Sequence, residues 1–441
     1  MTDKNINNER RKFIKLMAIG AGVTATGIGA LTPYRAEAVS TSARIVIVGA
    51  GAAGVSIANR LARETKGASI TIIDRRELHT YQPGLTLVAT GIWKPTKVVD
   101  SNAHYIPKSV SWIKETVTEF APETNQVVTD TGQRVAYDYL MVATGLHLDF
   151  DAIEGMHAGL IGEHGIACVY DTPVNATRSW NAISRFTDEG GVGIFTRPPG
   201  AIKCAGAPLK IAMLTEHQLR EKGNRERAQL SYTAPATGLF SQPDINTFLK
   251  EHLPERGFDV NWNTRLTAID APAKRATFQT AEGEAQISYD FIHVVPPMRA
   301  PDALKNSMLA SQSGPFAQAG WLEVNKHSLQ HIRFSNVFGA GDCVGTPIGK
   351  TAASVKAQVP VAVHNLLQVI QGKAADAAYN GYTSCPLVTE KGEAMLVEFD
   401  YDLQMVPSFG FINPLERHWV PWVMKDYMLQ GAYNAMLRGR V

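Results

Sequence analysis

Arg44-Ile45-Val46-Ile47-Val48-Gly49-Ala50-Gly51-Ala52-Ala53-Gly54 decides the fold. The β-branched apolar run reads as a buried parallel strand. Gly49-x-Gly51-x-x-Gly54 follows at once and leads into Ile57-Ala58-Asn59-Arg60-Leu61-Ala62, a helix-forming stretch. Glycine at these positions tightens the turn and lets backbone amides approach a pyrophosphate at the positive end of the helix dipole. A second strand, Ser69-Ile70-Thr71-Ile72-Ile73, ends at Asp74, 20 residues beyond Gly54. A carboxylate there is placed to accept hydroxyls of an adenosine ribose. Gly49, Ala50, Gly51, Gly54 and Asp74 are therefore the candidate dinucleotide contacts. A glycine-rich turn with a chance acid behind it is the plainer alternative, and the ordered succession of strand, turn, helix, strand and acid disfavours it.

The chain around this motif has 441 residues, 45% hydrophobic and 19% charged, enough for two or three packed units and too apolar for disorder. Lysine and arginine number 43 against 41 acids, and a formal charge of +2 makes no electrostatic case for nucleic acid as partner. Four cysteines are too few for a disulfide scaffold, and none has C-x-x-C spacing, so no metal site is expected. The twelve histidines are scattered without a catalytic pattern.

Residues 1–38 read as a twin-arginine export signal. Arg10-Arg11-Lys12-Phe13-Ile14-Lys15 precedes an uncharged stretch over 17–33, and Ala36-Glu37-Ala38 has the small-x-small form of a cleavage site. The stretch is rich in Gly and Ala and about seventeen residues long, short of the roughly 20 that span a bilayer. Its removal takes the net charge from +2 to −1. The expected location is the periplasm, against the outer face of the inner membrane, with a cofactor held tightly enough to be exported in the folded protein.

Two later pieces resemble elements of the two-dinucleotide-domain flavoproteins. Tyr139-Leu140-Met141-Val142-Ala143-Thr144-Gly145 is similar to their strand and Ala-Thr-Gly element, and Asn336-Val337-Phe338-Gly339-Ala340-Gly341-Asp342 to their Gly-Asp element. The resemblance implies FAD as cofactor, with Gly145, Gly341 and Asp342 among its contacts. The expected fold is α/β, with two Rossmann-like domains and an amphipathic helical tail. One FAD-binding domain is built from 44–150 and 306–375, a second domain at 151–305 is inserted into it, and a cysteine-bearing carboxy-terminal segment follows at 376–441. The inserted domain lacks a nucleotide fingerprint: Gly191-Val192-Gly193-Ile194-Phe195-Thr196 runs into Arg197-Pro198-Pro199-Gly200, where a phosphate-binding helix would begin. A nicotinamide reductant is disfavoured, and a thiol, Cys204, follows instead.

Lys203-Cys204-Ala205-Gly206-Ala207-Pro208 and Gly381-Tyr382-Thr383-Ser384-Cys385-Pro386-Leu387 together resemble the sulfide:quinone oxidoreductase family, in its mitochondrial-like branch. Supporting patches include His79-x-Tyr81-Gln82-Pro83, His293-Val294-x-Pro296-Pro297-Met298, Lys350-Thr351-Ala352-Ala353 and Glu398-Phe399-Asp400-Tyr401. The resemblance implies that Cys204 and Cys385 are a redox pair facing the flavin, with hydrosulfide as donor, a quinone as acceptor and a small sulfur acceptor as further partner. A pair suits the chemistry independently, since one sulfur can deliver electrons while the other retains the oxidised sulfur. The resemblance also places Lys350 by the flavin ring. Cys168 is carried as a candidate third thiol with its role open, and Cys343 reads as a buried filler.

The tail from Phe399 onward is rich in aromatic residues and methionine, interleaved with Arg417, Lys425 and Arg438. This mix suits a helix lying in the headgroup zone of a membrane, or one packed on the protein's own core or a second subunit. Phe399, Phe409 and Phe411 are candidates to sandwich a quinone ring. Two other functions remain in play: the flavoprotein subunit of a sulfide dehydrogenase that passes electrons to a c-type cytochrome, and a non-catalytic flavin-bearing sulfur carrier.

Overall fold

The computed structural model describes residues 37–410 and 412–441; residues 1–36, which hold most of the export signal expected over 1–38, and Phe411 lie outside the described residues. In chain order, β1 (Arg44–Val48), α1 (Ala52–Glu64), β2 (Ser69–Ile73), β3 (Ser111–Ile113) and β4 (Tyr139–Val142) begin a first sheet. The chain then builds a second sheet from β5 (Ile166–Ala167), α2 (Pro173–Glu189), β6 (Gly191–Thr196), α3 (Ala207–Glu221), β7 (Ala228–Thr233), α4 (Pro243–Glu255), β8 (Phe258–Asn261) and β9 (Phe291–His293). It returns to the first through β10 (Val337–Gly339) and α5 (Ala352–Ile370). A hairpin of β11 (Thr383–Glu390) and β12 (Glu393–Phe399) follows, and the chain closes in helices α6 (Trp419–Val423) and α7 (Leu429–Leu437).

Both principal sheets are wholly parallel. The first has five strands in the order β10-β4-β1-β2-β3, and the second five in the order β5-β9-β6-β7-β8. Parallel strands covered on both faces must be apolar throughout, and Ile45, Val46, Ile47 and Val48 are all buried. β10 lies beside β4 although nearly 200 residues separate them, so the first sheet is completed only after the second is made. Antiparallel ladders, Val117–Ala121 with Gln126–Thr129 and Arg265–Asp270 with Arg275–Thr280, decorate the two units.

The β1–α1 turn is set by contact distances. Gly49 has φ +105°, and a Cβ on Gly54 would stand 1.7 Å from the Gly49 carbonyl oxygen. Gly54→Ala is therefore expected to split α1 from the turn and cost about 1–3 kcal/mol by overpacking. The check is a lowered thermal midpoint together with poor FAD retention, and an unchanged midpoint would contradict it.

Candidate active site

The dinucleotide cradle is built at the carboxy-terminal edge of the first sheet. Asp74 is buried, accepts the Ala50 N–H at 2.7 Å and pairs with Arg76 at 2.7 Å. Against the cost of burial, the Arg76 guanidinium and two backbone N–H groups hold its carboxyl below the ordinary carboxylate value. Above Gly51 the space is open: a Cβ there would meet nothing within 4 Å, and the same holds at Gly145, which has φ +69°. Gly341 has φ +89° and donates its N–H to Gln358 at 2.8 Å. Asp342 follows, and among the described residues its carboxylate has no hydrogen-bond or ion-pair partner; burial raises its pKa above the ordinary value. An open turn at a helix N-terminus and an unpartnered carboxylate in a low-dielectric setting fit the pyrophosphate and the polyhydroxyl chain of FAD.

Lys350 is buried, with Nζ 3.7 Å from the Trp321 ring centroid, and it donates to the carbonyls of Asp342 at 2.7 Å and Val344 at 3.0 Å. Burial draws its pKa down to about 8. Its own carbonyl accepts the Cys204 N–H at 2.8 Å, which ties the inserted unit to the Gly-Asp segment.

Cys204 and Cys385 meet although they lie 181 residues apart: their sulfurs are 3.9 Å from each other. Cys204 adopts φ 44°, a region that non-glycine residues rarely occupy, and its peptide is clamped from several sides. The Tyr170 hydroxyl donates to its carbonyl at 3.1 Å and Ala207 N–H does so at 2.7 Å. A Cβ on Gly206 would stand 2.6 Å from the Cys385 sulfur, so glycine there is what lets the strand reach the loop. The two prolines after β6 delay the next helix until Ala207, and the positive end of α3 lies beside a thiol instead of a nucleotide phosphate.

Two lysines that sequence reasoning did not assign complete the site. Lys210, on the first turn of α3, is 2% exposed and its Nζ lies 3.6 Å from the Cys204 sulfur. The thiols keep it protonated despite its burial, with its pKa raised. Lys425 is 3% exposed, donates to the Pro83 carbonyl and feels the charge of Lys210 and of both thiols. Burial and Lys210 bring its pKa down to about 7. The hydrogen bond from Cys385, with the charges of Lys210 and Lys425, pulls the Cys204 thiol well below its ordinary value, and the same bond together with burial pushes Cys385 well above. The two sulfurs are close enough to share one proton, and the cation at 3.6 Å favours the negative charge on Cys204. The available signal for Lys210 was a single cation inside the apolar run Pro208-Leu209-Lys210-Ile211-Ala212-Met213, six residues after the cysteine.

The other thiols stand apart. Cys168 is fully buried, its N–H and carbonyl engaged by Ser179, and burial pushes its thiol up to about 12. Cys343 is fully buried, points at the carbonyls of Val142 and Ala340, and is pushed up to about 11 by burial. Neither presents a thiolate.

The tail departs from a simple headgroup helix. Trp422, Tyr433, Met436 and Leu437 turn inward; Tyr433 Oη meets His79 Nε2 at 2.8 Å, and its ring packs edge-on to Tyr81 at 4.9 Å. Between α6 and α7 the chain widens into a π-turn, Met424–Met428, which carries Lys425 inward while Tyr427 and Met428 stay 73% and 39% exposed. α7 lies on α1 and, through Tyr433, on His79 and Tyr81, whereas α6 lies on the β11–β12 hairpin. Phe399 is likewise 4% exposed and packed edge-on to Phe240, so it offers no open face to a quinone. Phe409 is half-buried and Phe411 lies outside the described residues.

Lys210→Met should raise the pH at which Cys204 reacts. The depressed thiol is reactive above its folded pKa and loses reactivity as pH falls through it, so removing the cation moves the inflection of iodoacetamide alkylation upward by about one unit or more. An unmoved inflection would show that Lys210 does not set the thiolate.

Residues 43–171 match the pyridine nucleotide-disulphide oxidoreductase family. The chain is 37% identical over 399 residues to the mitochondrial sulfide:quinone oxidoreductase of Dictyostelium discoideum, covering 90% of this chain and 86% of that one. It is 35% identical to the mitochondrial sulfide:quinone oxidoreductase of Mus musculus, with the same coverage of 90% and 86%. Its fold resembles the solved sulfide:quinone oxidoreductase of Aquifex aeolicus with a TM-score of 0.75 at 20% identity, over 90% of this chain and 92% of that chain. The chain belongs to the sulfide:quinone oxidoreductase family of FAD-dependent flavoproteins.

Proposed function

We propose that this protein oxidises hydrosulfide to sulfane sulfur at Cys204 and Cys385 and delivers the electrons to a quinone. The observation that carries the reading is the sulfur separation of 3.9 Å beside buried Lys210. A single bridging sulfur with two bonds of about 2.05 Å each and the bent angle of divalent sulfur holds its neighbours somewhat closer than this gap, so a small approach of the two side chains closes the bridge. Hydrosulfide is an anion, and Lys210 and Lys425 lower the cost of bringing it into a buried site. Its attack on a disulfide between the cysteines breaks the S–S bond and leaves a persulfide on one and a thiolate on the other; when a bridging sulfur is present, the same attack leaves a persulfide on each. The cations that hold the Cys204 thiolate also neutralise the charge displaced at each sulfur transfer. The FAD, when bound, accepts the electron pair from sulfur and passes it to the quinone. Asp342 and the Gly49–Gly54 turn would hold it, and Lys350 supplies positive charge at the Gly-Asp segment.

The remaining partners belong to the same proposal. Phe409 is proposed as a quinone contact, on a loop pinned where Ser408 N–H and Oγ both donate to buried Glu398 at 2.7 Å. Exposed Tyr427 and Met428, with Lys97 Nζ 5.8 Å from the Tyr427 ring, suit contact with a membrane surface, and no helix among the described residues is long and apolar enough to cross one.

Sulfide added anaerobically should bleach the flavin, and decyl-ubiquinone should restore it. Recovery with cytochrome c alone would replace the quinone as acceptor, and no bleaching would reject sulfide. Cys204→Ser and Cys385→Ser should each slow bleaching by at least about a thousandfold with FAD still bound. Cys343→Ser should lose far less.

Export by the twin-arginine route rests on Arg10-Arg11 and Ala36-Glu37-Ala38. The Dictyostelium and mouse relatives are named mitochondrial, which does not favour export. A mature protein whose first residue is Val39, found by amino-terminal sequencing of the periplasmic fraction, is the expected result, and an intact leader on an active intracellular protein would reject it.

A further inference from the structure

Glu216, on α3, is a carboxylate only 1% exposed. Arg256, just past the end of α4, donates to it from Nε at 2.6 Å, and Arg220 Nε does so at 2.8 Å. Arg225 adds a third guanidinium at 3.7 Å. The Arg256 fork does not stop there. Its Nη1 donates to the Thr389 carbonyl at 2.6 Å and its Nη2 to the Met213 carbonyl at 3.3 Å. Glu390, next on β11, receives Arg220 Nη2 at 2.7 Å. One buried guanidinium thus grips the backbone of α3 and the backbone of β11.

Those two elements carry the chemistry. α3 begins directly after Cys204-Ala205-Gly206 and bears Lys210, and β11 bears Cys385. They pack against each other without sharing a sheet ladder. Apolar packing of a helix on a strand is non-directional, so it resists separation better than sliding. A slip of one helical residue is about 1.5 Å, large against the reach of a bond between two sulfurs. A planar fork bound to two carbonyls and a carboxylate is directional. Burying such a cluster adds little net stability compared with apolar packing, and what it supplies is a single geometry.

We propose that Arg256, anchored on Glu216, is a positioning residue that sets the register of α3 against β11 and hence the gap between the Cys204 and Cys385 sulfurs. The proposal rests on the sulfide-oxidising reading for its purpose, but not for its test.

The test uses FAD-loaded protein reduced with dithiothreitol and desalted. Diamide then closes the pair, forming one S–S bond while it takes up the two electrons and two protons the thiols release, and closure is followed by mass spectrometry. Arg256→Lys keeps the charge and loses the fork. It should slow closure about tenfold or more and slow flavin bleaching by sulfide in parallel, since misplacement by an ångström commonly costs up to about a hundredfold. Reoxidation of dithionite-reduced protein by decyl-ubiquinone should stay within twofold. Should Arg256→Lys not fold, Glu390→Gln, on a half-exposed arm of the cluster, should still slow closure about threefold, a milder form of the same loss of position. Closure within twofold of the parent in every variant that keeps FAD, whatever the thermal midpoint does, would overturn the proposal. Normal closure in the parent without bleaching by sulfide would instead fault the proposed activity, and the clamp would be judged on closure alone.

Discussion

The separation of two sulfurs, 3.9 Å, is the constraint on which the rest of the molecule depends. Each comes from a different part of the chain, and neither would be reactive by itself. Burial alone pushes a thiol up, as at Cys168 and Cys343. Only the pair, sharing a proton and facing Lys210 and Lys425, keeps a thiolate in a low-dielectric setting. The strained Cys204 backbone, the missing side chain at Gly206 and the bond from Cys204 to the Lys350 carbonyl all serve that approach.

The inserted unit sets a thiol beside a sheet of the nucleotide-binding kind. Its sheet is parallel and its strand order is that of a dinucleotide domain, yet Arg197 after β6 spends Nη1 on the carbonyls of Gly238 and Leu239. Pro198 and Pro199 have no N–H to offer a phosphate at this turn. The helix starts later, and its positive end is given to a cysteine.

What was legible in the sequence was local or carried by resemblance. The turn from Gly49 to Gly54 is written in neighbouring residues, and so is Asp74, because strand, turn and helix are contiguous. The cysteine pair became legible only through the patches around it, since no spacing rule joins positions so far apart. Lys425 was misleading because its helix has the pattern of an interfacial helix, and pattern does not tell which neutral surface will cover it. Phe399 shows the converse: its place after the cysteine is plain in the sequence, but its pairing with Thr383 and its packing on Phe240 come only with the hairpin. Arg256 left no sign, because its partners come from α3 and β11 and are joined only by folding.

The π-turn at Met424–Met428 has an evolutionary corollary. A widened turn holds one residue more than the α-helical path it interrupts, so trimming a residue there would rotate all that follows by about 100°. Lys425 would keep its place while Tyr433 swung away from His79, or the reverse. Homologous chains should therefore vary in length on either side of this segment and hold a fixed count from Lys425 to Tyr433, a ruler written in residues instead of ångströms.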